Sequence, residues 1–429
     1  MNRSGALRLL SIGFAFALLT GIQTKAADAV ATLAGGAGIS GHSDGVGTAA
    51  RFADPVGLAI DADGNLLLAD SGNHCVRRIT PAGIVSTIAG GPGLAGSADG
   101  VGTAARFDSP SALAVAPDGT VYISDIGNHT LRRLDRNGRI TTPAGLAGVT
   151  GATNGIGSQV RFNAPLGLAV TASGDVFVAD SGNHLIRRMD ARGQVTSFAG
   201  VAESWGDENG PGNVARFNGP VGLALDRSGN LVVADSLNHT LRRVSPDGTV
   251  TLLAGKPGED GSADGPTKDS RFGTPAELAF DARGNLYVTD AWFHTLRRIT
   301  PGGQVSTVAG LAGAEGSGDG NYTAARFFNP YGLVITPRGS LVMTDTFNQT
   351  LRELHAPFAL TVSLKAEAGT LLHWESQPGA RYQVFTRDAL DAPWTILGTP
   401  LTASGITTDW TDSAPGPSPH RWYQVSLVP

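Results

Sequence analysis

Cysteine is almost absent from this sequence of 429 residues, because Cys75 is the only one. A single thiol cannot build an intrachain disulfide framework or a cysteine-rich metal site. Lysine is scarce as well, and the formal net charge is −5. Proteins that bind nucleic acids carry a basic surface, so this composition argues against a nucleic-acid partner.

Long apolar runs are missing beyond the N-terminus. Residues 1–26 combine Arg3 and Arg8 with an apolar stretch at 9–22 and with the small residues Thr24 and Ala26. This pattern predicts a signal peptide cleaved after Ala26, since a stretch of about 14 residues is short for a membrane span. We therefore expect a secreted or periplasmic protein that has no membrane span after cleavage.

Glycine, in contrast, is abundant, with 59 residues against a usual share of about 7%. Glycine inside a helix costs about 1 kcal/mol relative to alanine, which argues against a helical bundle. Together with 41% hydrophobic residues, it favours many short strands joined by turns.

The chain repeats itself at a fixed spacing of 55 residues between about residues 27 and 356. The dipeptide Arg-Phe marks each of six copies, at 51–52, 106–107, 161–162, 216–217, 271–272 and 326–327. Within the first copy, turn dipeptides separate four short apolar segments, at 56–60, 65–68, 74–79 and 84–88. Six copies of four strands predict an all-β, six-bladed β-propeller.

The sixth copy lacks a fourth strand, whereas the segment Val30–Gly35 has the sequence of one. We therefore expect this N-terminal strand to complete the sixth blade and to close the ring, because closure removes unpaired strand edges. Deleting residues 30–35 is then expected to cost several kcal/mol.

The segment 65–79, NLLLADSGNHCVRRI, resembles an NHL repeat, and the tripeptide that names that family stands at Asn183, His184 and Leu185. The resemblance covers about residues 30–356 and implies a six-bladed ring. Its connecting loops are similar to those of exported bacterial NHL proteins. NHL rings serve as protein-binding, RNA-binding or enzymatic domains, so the resemblance leaves the activity open.

Most repeated side chains are expected to be structural. Asp70 and its equivalents are expected to bond turn amides, and the recurrent histidines, such as His74, lie too far apart around a ring to share a metal. The paired arginines, such as Arg77 and Arg78, are each expected to pack along a different neighbouring blade. Cys75 is expected to be a small buried side chain.

Function is expected where the copies differ. The turn between the second and third strands is small in the first three copies, whereas the last three copies carry bulky apolar residues there. Together with the connecting loops, these turns open on one face, and exposed apolar clusters mark binding sites. The candidate ligand-binding residues on one half of this face are Trp205, Leu237, Trp292, Phe293, Tyr322 and Phe347.

Glu277 completes the candidate set. The equivalent positions hold glycine or alanine, as the crowded axis of a propeller requires. We expect the Glu277 carboxylate to point toward the channel or the loop face, where it resembles a sugar-binding or cation-binding group beside aromatic rings. Neighbouring amides or an arginine would be the structural alternative.

The repeat stops near residue 357, and six short apolar segments follow within 357–429. They predict a small β-sandwich, which is similar to fibronectin type III-like modules around Trp374 and Tyr382. Most tryptophans of this segment are expected to lie in its core, the alternative being a carbohydrate platform.

The sequence therefore predicts an exported, non-catalytic, monomeric scaffold that binds a protein or carbohydrate ligand on its loop face and needs no cofactor. The alternative is a metal-dependent enzyme similar to lactonase or lyase propellers, with an axial site. Glu277 is the only inner-strand carboxylate placed near that axis, so no complete set of metal ligands is visible.

Overall fold

The computed structural model describes residues 30–337 and 339–354, followed by the segments 360–365, 369–375, 381–387, 395–402, 404, 407–412 and 422–428. The predicted signal peptide, residues 1–26, lies outside the described residues, and so does Trp394.

Six antiparallel sheets, the blades, are formed by residues 30–354, and each contains four main strands. The four strands pair in sequential order in the first five blades. The first blade comprises Pro55–Ile60, Leu66–Asp70, Cys75–Ile79 and Ile84–Ala89. The second comprises Pro110–Val115, Val121–Asp125, Thr130–Leu134 and Arg139–Ala144. The third comprises Pro165–Val170, Val176–Asp180, Leu185–Met189 and Gln194–Ala199.

The remaining blades repeat this order. The fourth comprises Pro220–Leu225, Leu231–Asp235, Thr240–Val244 and Val250–Gly255. The fifth comprises Pro275–Phe280, Leu286–Asp290, Thr295–Ile299 and Gln304–Ala309. The sixth comprises Pro330–Ile335, Leu341–Asp345 and Thr350–Leu354, with Val30–Gly35 paired beside its last strand.

Short strands and single 3₁₀ turns accompany the main strands of the blades. Two-residue strands extend the sheets of four blades at the outer edge, at Gly45–Val46, Gly100–Val101, Gly155–Ile156 and Gly265–Pro266. Single 3₁₀ turns occur at Gly47–Ala49, Ser71–Asn73, Gly102–Ala104, Ser181–Asn183, Ser236–Asn238 and Thr346–Asn348.

The first strand of each blade, which we call the inner strand, contacts the inner strands of the two neighbouring blades, and the sixth contacts the first. The chain therefore forms the six-bladed β-propeller that the repeats predicted. Glycine is required at Gly57, Gly167, Gly222 and Gly332 on this axis because the blades approach closely. A Cβ atom at Gly57 would lie 2.1 Å from the Ser111 carbonyl oxygen.

The N-terminal strand pairs antiparallel with Thr350–Leu354, with Val30 opposite Leu354 and Gly35 opposite Thr350. Val30 and Ala34 are fully buried. Val30 packs in a cluster with Ala325, Phe327 and Leu354, so residues from the two ends of the repeat region share one hydrophobic cluster.

A buried ion pair recurs in the blades. In the first, Arg77 donates to the Asp70 carboxylate at 2.6 Å and to the Asp44 carboxylate at 2.8 Å. The same guanidinium lies 5.4 Å from the centre of the Phe52 ring. Asn73 donates to Asp70 at 2.8 Å. This unit of aspartate, arginine, asparagine and phenylalanine fixes the connecting loop to its own blade.

Two expectations for the repeated residues were wrong in part. The Asp70 carboxylate accepts a hydrogen bond from the Ala53 amide of the connecting loop at 2.7 Å, rather than from amides of its own turn, because Arg77 and Asn73 already surround it. Arg77 is fully buried, whereas Arg78 is exposed to solvent, since adjacent strand residues face opposite sides. Cys75 is buried, as expected.

The repeated turn histidines join neighbouring blades. His74 Nδ1 accepts a hydrogen bond from the Ser109 amide of the second blade at 3.0 Å. His129, His184 and His294 make the same kind of contact to the blades that follow them. In the sixth blade Gln349 stands in this position and accepts from the Asp54 amide at 2.6 Å, which links the last blade to the first.

The C-terminal segment contains two antiparallel sheets of three strands each. One comprises Leu360–Lys365, Gly369–Glu375 and Thr407–Asp412, and the other comprises Arg381–Arg387, Thr395–Thr402 and Trp422–Val428. Trp374 and Leu372 of the first sheet form a buried cluster with Tyr382, Val384 and Val425 of the second. The rings of Trp374 and Tyr382 lie 5.8 Å apart.

Replacing Val30 by aspartate is expected to lower the free energy of unfolding by several kcal/mol, because a charge would enter the cluster that contains Leu354. Val46 on an outer two-residue strand is 61% exposed, so Val46→Asp is a matched control with an expected effect below about 0.5 kcal/mol. Urea unfolding of both variants makes the measurement. Equal effects of the two substitutions would contradict this role of the N-terminal strand.

Candidate functional site

The turns between the second and third strands differ between the two halves of the ring. In the first three blades the middle of this turn is glycine, at Gly72, Gly127 and Gly182. In the last three blades the equivalent residues are Leu237, Trp292 and Phe347, whose exposed fractions are 59%, 65% and 49%. The fold therefore presents three large apolar side chains from successive blades on the same face, which we call the loop face.

The fifth blade departs furthest from the repeat. Phe293 occupies the position of Asn73, so Asp290 lacks the asparagine donor that the other blades supply. Arg297 lies 3.7 Å from Asp290, further than the equivalent pair in the first blade. The Gly273 amide donates to Asp290 as its equivalent Ala53 donates to Asp70. The Thr274 amide adds a further hydrogen bond to Asp290, which compensates for the missing asparagine.

Gly273 makes room for this change. A Cβ atom there would lie 2.6 Å from the Phe293 ring and 2.9 Å from Trp292 Cβ. The absence of a side chain at 273 lets the partly buried Phe293 ring pack under the turn while Trp292 stays exposed. Three linked substitutions therefore produce the Trp292 site, and only the aromatic pair had been singled out from the sequence.

An aromatic chain continues from the fifth blade to the sixth. The ring of His294 meets Phe328 edge-on at 5.6 Å, and Phe328 meets Phe347 edge-on at 5.1 Å. Such pairs add about 0.5–1.5 kcal/mol beyond burial. Sequence reasoning missed Phe328, although its equivalents are small or polar: Ala53, Asp108, Asn163, Asn218 and Gly273.

Trp205 lies on the loop that connects the third and fourth blades, and it is 69% exposed. The backbone on either side of Trp205 bonds to both blades: the Glu203 amide donates to the Asn183 carbonyl, and the Gly206 carbonyl accepts from Asn238. Trp205 therefore lies on the loop face, beside the turn that contains Leu237.

Tyr322 has a different environment from the other candidates. Its side chain is partly buried against the cluster of Val30, Tyr287 and Phe327, and burial raises the pKa of its phenol. These contacts give Tyr322 a packing role at the boundary between the fifth and sixth blades.

Exposed aliphatic residues extend the apolar surface around the rest of the face, and sequence reasoning missed them. Ile39, Leu94 and Val149 occupy equivalent positions on the loops that lead into the first three blades, with exposed fractions of 53%, 54% and 41%. Their neighbours Gly38, Gly93 and Gly148 donate to the turn carbonyls of Asn348, Asn73 and Asn128. The aromatic half and an aliphatic half therefore share one face.

Acidic residues appear only on the connecting loops of the aromatic half, within the stretch equivalent to 38–42. Glu203, Asp207, Glu259, Asp260 and Glu315 are exposed there, whereas the first three copies have no acidic residue in this stretch. Glu259 pairs with Lys256 and Arg271. The aromatic half of the face consequently carries negative charge.

Glu277 lies at the channel, which is one of the two locations expected from the sequence, the other being the loop face. Its side chain lines a cavity of about 320 Å³ on the axis of the ring. One carboxylate oxygen accepts a hydrogen bond from the Leu278 amide at 3.2 Å. The Glu277 amide in turn donates to Thr289 at 2.9 Å, and the Thr289 hydroxyl donates to the Tyr331 carbonyl of the sixth blade at 2.6 Å.

Burial dominates the electrostatics of this group. Desolvation raises the pKa of Glu277 to about 7, although amide hydrogen bonds from Leu278 and Leu223 oppose the shift. Burial also raises the pKa of the Tyr331 phenol, and the charge of Glu277 adds to that effect.

Within the part of the chain that the structure describes, no three histidine, cysteine, aspartate or glutamate side chains converge as a metal site would require. None of the helices described has the length and apolarity needed to cross a membrane.

Comparison with known proteins agrees with the repeat and the ring. The NHL repeat model matches residues 52–79, 162–189 and 217–243. This chain carries NHL repeats. The chain is 27% identical over 336 residues to NHL repeat-containing protein 2 of Bos taurus, a match that covers 70% of this chain and 46% of that protein. The human protein of the same name is 27% identical over 323 residues, covering 67% and 44%. The chain thus spans less than half the length of these relatives.

Solved structures share the fold of the NHL propeller. A protein of unknown function from Bacteroides thetaiotaomicron superposes with a TM-score of 0.60 at 22% identity, over 76% of each chain. An auxiliary nutrient binding protein from the same organism superposes with a TM-score of 0.60 at 18% identity, again over 76% of each chain. At such identities these neighbours support the fold alone.

The Glu277 pKa predicts a pH-dependent stability. Because its pKa in the folded protein lies above the ordinary value, the protonated carboxyl stabilises the fold below about pH 4.5, and this stability is lost as the pH rises through about 7. Relative to Glu277→Gln, the wild-type protein is expected to lose on the order of 2 to 3 kcal/mol between pH 5 and pH 8.

Urea unfolding of both proteins at the two pH values measures this difference, because the other titrating groups are common to both. A difference that stays constant with pH would show that Glu277 titrates normally.

Proposed function

We propose that this protein is an exported, non-catalytic scaffold that binds a protein partner on the loop face of its NHL propeller. The observation that carries the proposal is the exposure of Leu237, Trp292 and Phe347 at equivalent positions of successive blades. Large contiguous apolar surfaces on a soluble protein mark interaction sites, and aromatic side chains are enriched where the binding energy concentrates.

The surrounding residues favour a protein over a glycan as the ligand. Ile39, Leu94 and Val149 offer aliphatic surface, which suits apolar side chains of a partner better than the hydroxyl groups of a sugar. Unlike the paired Glu259, the exposed acids Glu203 and Asp260 form no salt bridge of 4 Å or less with a described residue. A partner surface that combines apolar side chains with lysine or arginine would satisfy both features, since arginine also stacks on exposed aromatic rings.

The structural neighbour named as an auxiliary nutrient binding protein is consistent with a binding role on this fold. Export is supported by the composition of residues 1–26.

We also propose that the strand Val30–Gly35 closes the ring, as its pairing in the sixth blade supports. The two C-terminal sheets, joined by the cluster around Trp374, would form a small fibronectin type III-like sandwich that acts as a spacer or accessory module.

The test is a triple variant in which Leu237, Trp292 and Phe347 are all replaced by glycine. The first three blades already carry glycine at this position, so the fold is expected to tolerate the change. Purified full-length protein is applied to a peptide array that includes apolar and basic sequences, and to a glycan array. We expect binding to peptides of this kind, weakened at least tenfold in the triple variant, because loss of one aromatic anchor costs about 2 kcal/mol or more.

The matched control replaces three equally exposed apolar residues on the outer strands, Val46, Val101 and Ile156, by serine. This control is expected to bind as the wild-type protein does. Unchanged peptide binding by the triple glycine variant would overturn the assignment of the site. Binding confined to the glycan array would overturn the assignment of a protein partner.

A further inference from the structure

We propose that His239 is a positioning residue for Trp292. A proton on His239 Nδ1 holds the peptide group between Gly273 and Thr274 in an orientation that the other five junctions between blades do not show. This junction joins the turn of the fourth blade to the loop that leads into the fifth. The consequence for binding rests on the function proposed for the loop face, whereas the orientation of the peptide group does not.

At the other five junctions the same hydrogen bond joins neighbouring blades. The turn side chain accepts from a backbone amide of the next blade, as His74 Nδ1 does from the Ser109 amide at 3.0 Å. In every case the amide belongs to a residue with a left-handed backbone conformation. These residues are Asp54, Ser109, Ala164, Gly219 and Asn329, with φ angles of 45°, 56°, 50°, 60° and 56°.

The junction between the fourth and fifth blades has the opposite orientation. His239 Nδ1 contacts the carbonyl oxygen of Gly273. The Thr274 amide, which would face His239 in the common arrangement, donates instead to the Asp290 carboxylate at 3.0 Å. Thr274 also lacks the positive φ that its five equivalents share. The peptide group between Gly273 and Thr274 is therefore turned over.

Three residues of the fifth blade account for this reversal. Thr274 is β-branched, and a positive φ is a strongly unfavourable conformation for such a residue. Phe293 leaves Asp290 without its asparagine donor, so the carboxylate takes the Thr274 amide in its place. Gly273 has no Cβ atom and accepts either orientation of the peptide group that follows it.

The reversal fixes the position of a proton on the imidazole ring. A carbonyl oxygen accepts hydrogen bonds and cannot donate them, so His239 must carry a proton on Nδ1 to bond to Gly273. In contrast, His74 accepts at Nδ1, and its neutral ring therefore carries the proton on Nε2. The same holds for His129, His184 and His294.

The orientation of this peptide group matters for the loop face because the equivalent carbonyl holds the turn in the other blades. There the amide of the middle turn residue donates to the connecting loop. Leu237 donates to the Asn218 carbonyl at 3.1 Å, and Phe347 donates to the Phe328 carbonyl at 3.1 Å. The backbone of these two apolar residues is thus tied to the loop beneath it.

Trp292 does not make this contact. The acceptor equivalent to the Asn218 carbonyl would be the Gly273 carbonyl, which faces His239 instead. The turn of the fifth blade is held one residue earlier, through the Ala291 amide and the Thr274 carbonyl at 3.0 Å. By keeping the Gly273 carbonyl, His239 releases the Trp292 backbone from the loop, so this exposed side chain can adjust its position to a ligand.

The orientation is tested by NMR spectroscopy of the ¹⁵N-labelled full-length protein at pH 8, where imidazole rings are neutral. We expect the ring ¹⁵N shifts to show a proton on Nδ1 of His239 and on Nε2 of His129. The Trp292 amide is expected to exchange its hydrogen at least tenfold faster than the bonded amides of Leu237 and Phe347, after correction for intrinsic rates. A proton on Nε2 of His239, or equal exchange at the three amides, would overturn the proposal.

A double variant should restore the common orientation. Thr274→Asn with Phe293→Asn introduces the residues that the sixth blade has at both positions, so Asp290 regains its asparagine donor and residue 274 tolerates a positive φ. The His239 proton is expected to move to Nε2, and exchange at the Trp292 amide to slow at least tenfold. The control Thr274→Val keeps the β-branch and the amide, and should change neither signal. Unchanged signals in the double variant would contradict the proposed cause.

The effect on binding is tested with histidine variants on the peptide array. His239→Gln keeps a side-chain donor, as the glutamine of the sixth blade shows that this position accepts, and is expected to bind as the wild-type protein does. His239→Leu loses the donor and is expected to bind at least threefold more weakly. The matched control His129→Leu removes the equivalent contact between the second and third blades and should leave binding unchanged.

Equal weakening by the two leucine variants, or none by His239→Leu, would overturn the positioning role of His239. Absence of peptide binding by the wild-type protein would instead overturn the function proposed for the loop face, and the NMR measurements would still decide the orientation of the peptide group.

Discussion

The buried contact between an arginine and an aspartate in each blade holds the propeller together at the level of the single repeat. In the first blade Arg77 reaches from the third strand to Asp70 on the second strand, to Asp44 on the connecting loop and to the face of Phe52. A buried charge that loses its partner costs several kcal/mol. The connecting loop must therefore keep the same length and path in every copy, which explains why no insertion interrupts the spacing of 55 residues.

This constraint decides where variation is permitted. Side chains inside the unit must complete the hydrogen bonds of the arginine and the aspartate, whereas the middle of the turn after Asp70 points away from it. The exchange of Gly72 for Trp292 or Phe347 at that position leaves the buried charges in place. The fifth blade goes further and gives up the asparagine, and it keeps its aspartate satisfied through the amides of Gly273 and Thr274. A repeat can therefore change its exposed turn residue while it keeps its buried arginine and aspartate.

At the axis of the ring, the close approach of the blades determines which residues fit. Blades meet there at distances that exclude a Cβ atom at Gly57. At Glu277 the hydroxyl of Thr289 bridges the Glu277 amide and the Tyr331 carbonyl, and the same position of the second blade pairs Ala112 with Ser124. The sixth blade has the same bridge beside a glycine, because the Thr344 hydroxyl accepts from the Gly332 amide and donates to the Val56 carbonyl. The hydroxyl therefore links neighbouring inner strands whether or not the axial residue has a side chain, a role that is visible only once the strands are paired.

The sequence by itself determined the number of blades, the strands of each blade and the turn positions at which the last three copies become apolar, because all of these are local patterns that repeat in register. It also restricted Glu277 to the axis or the loop face. Only the tertiary structure decided that Glu277 lines the axial cavity, that Tyr322 packs against a cluster containing Val30, that Phe328 joins the aromatic chain and that Ile39, Leu94 and Val149 are exposed. These outcomes depend on which side chains from different blades meet, and contacts between distant parts of the chain are fixed by ring closure rather than by any local pattern.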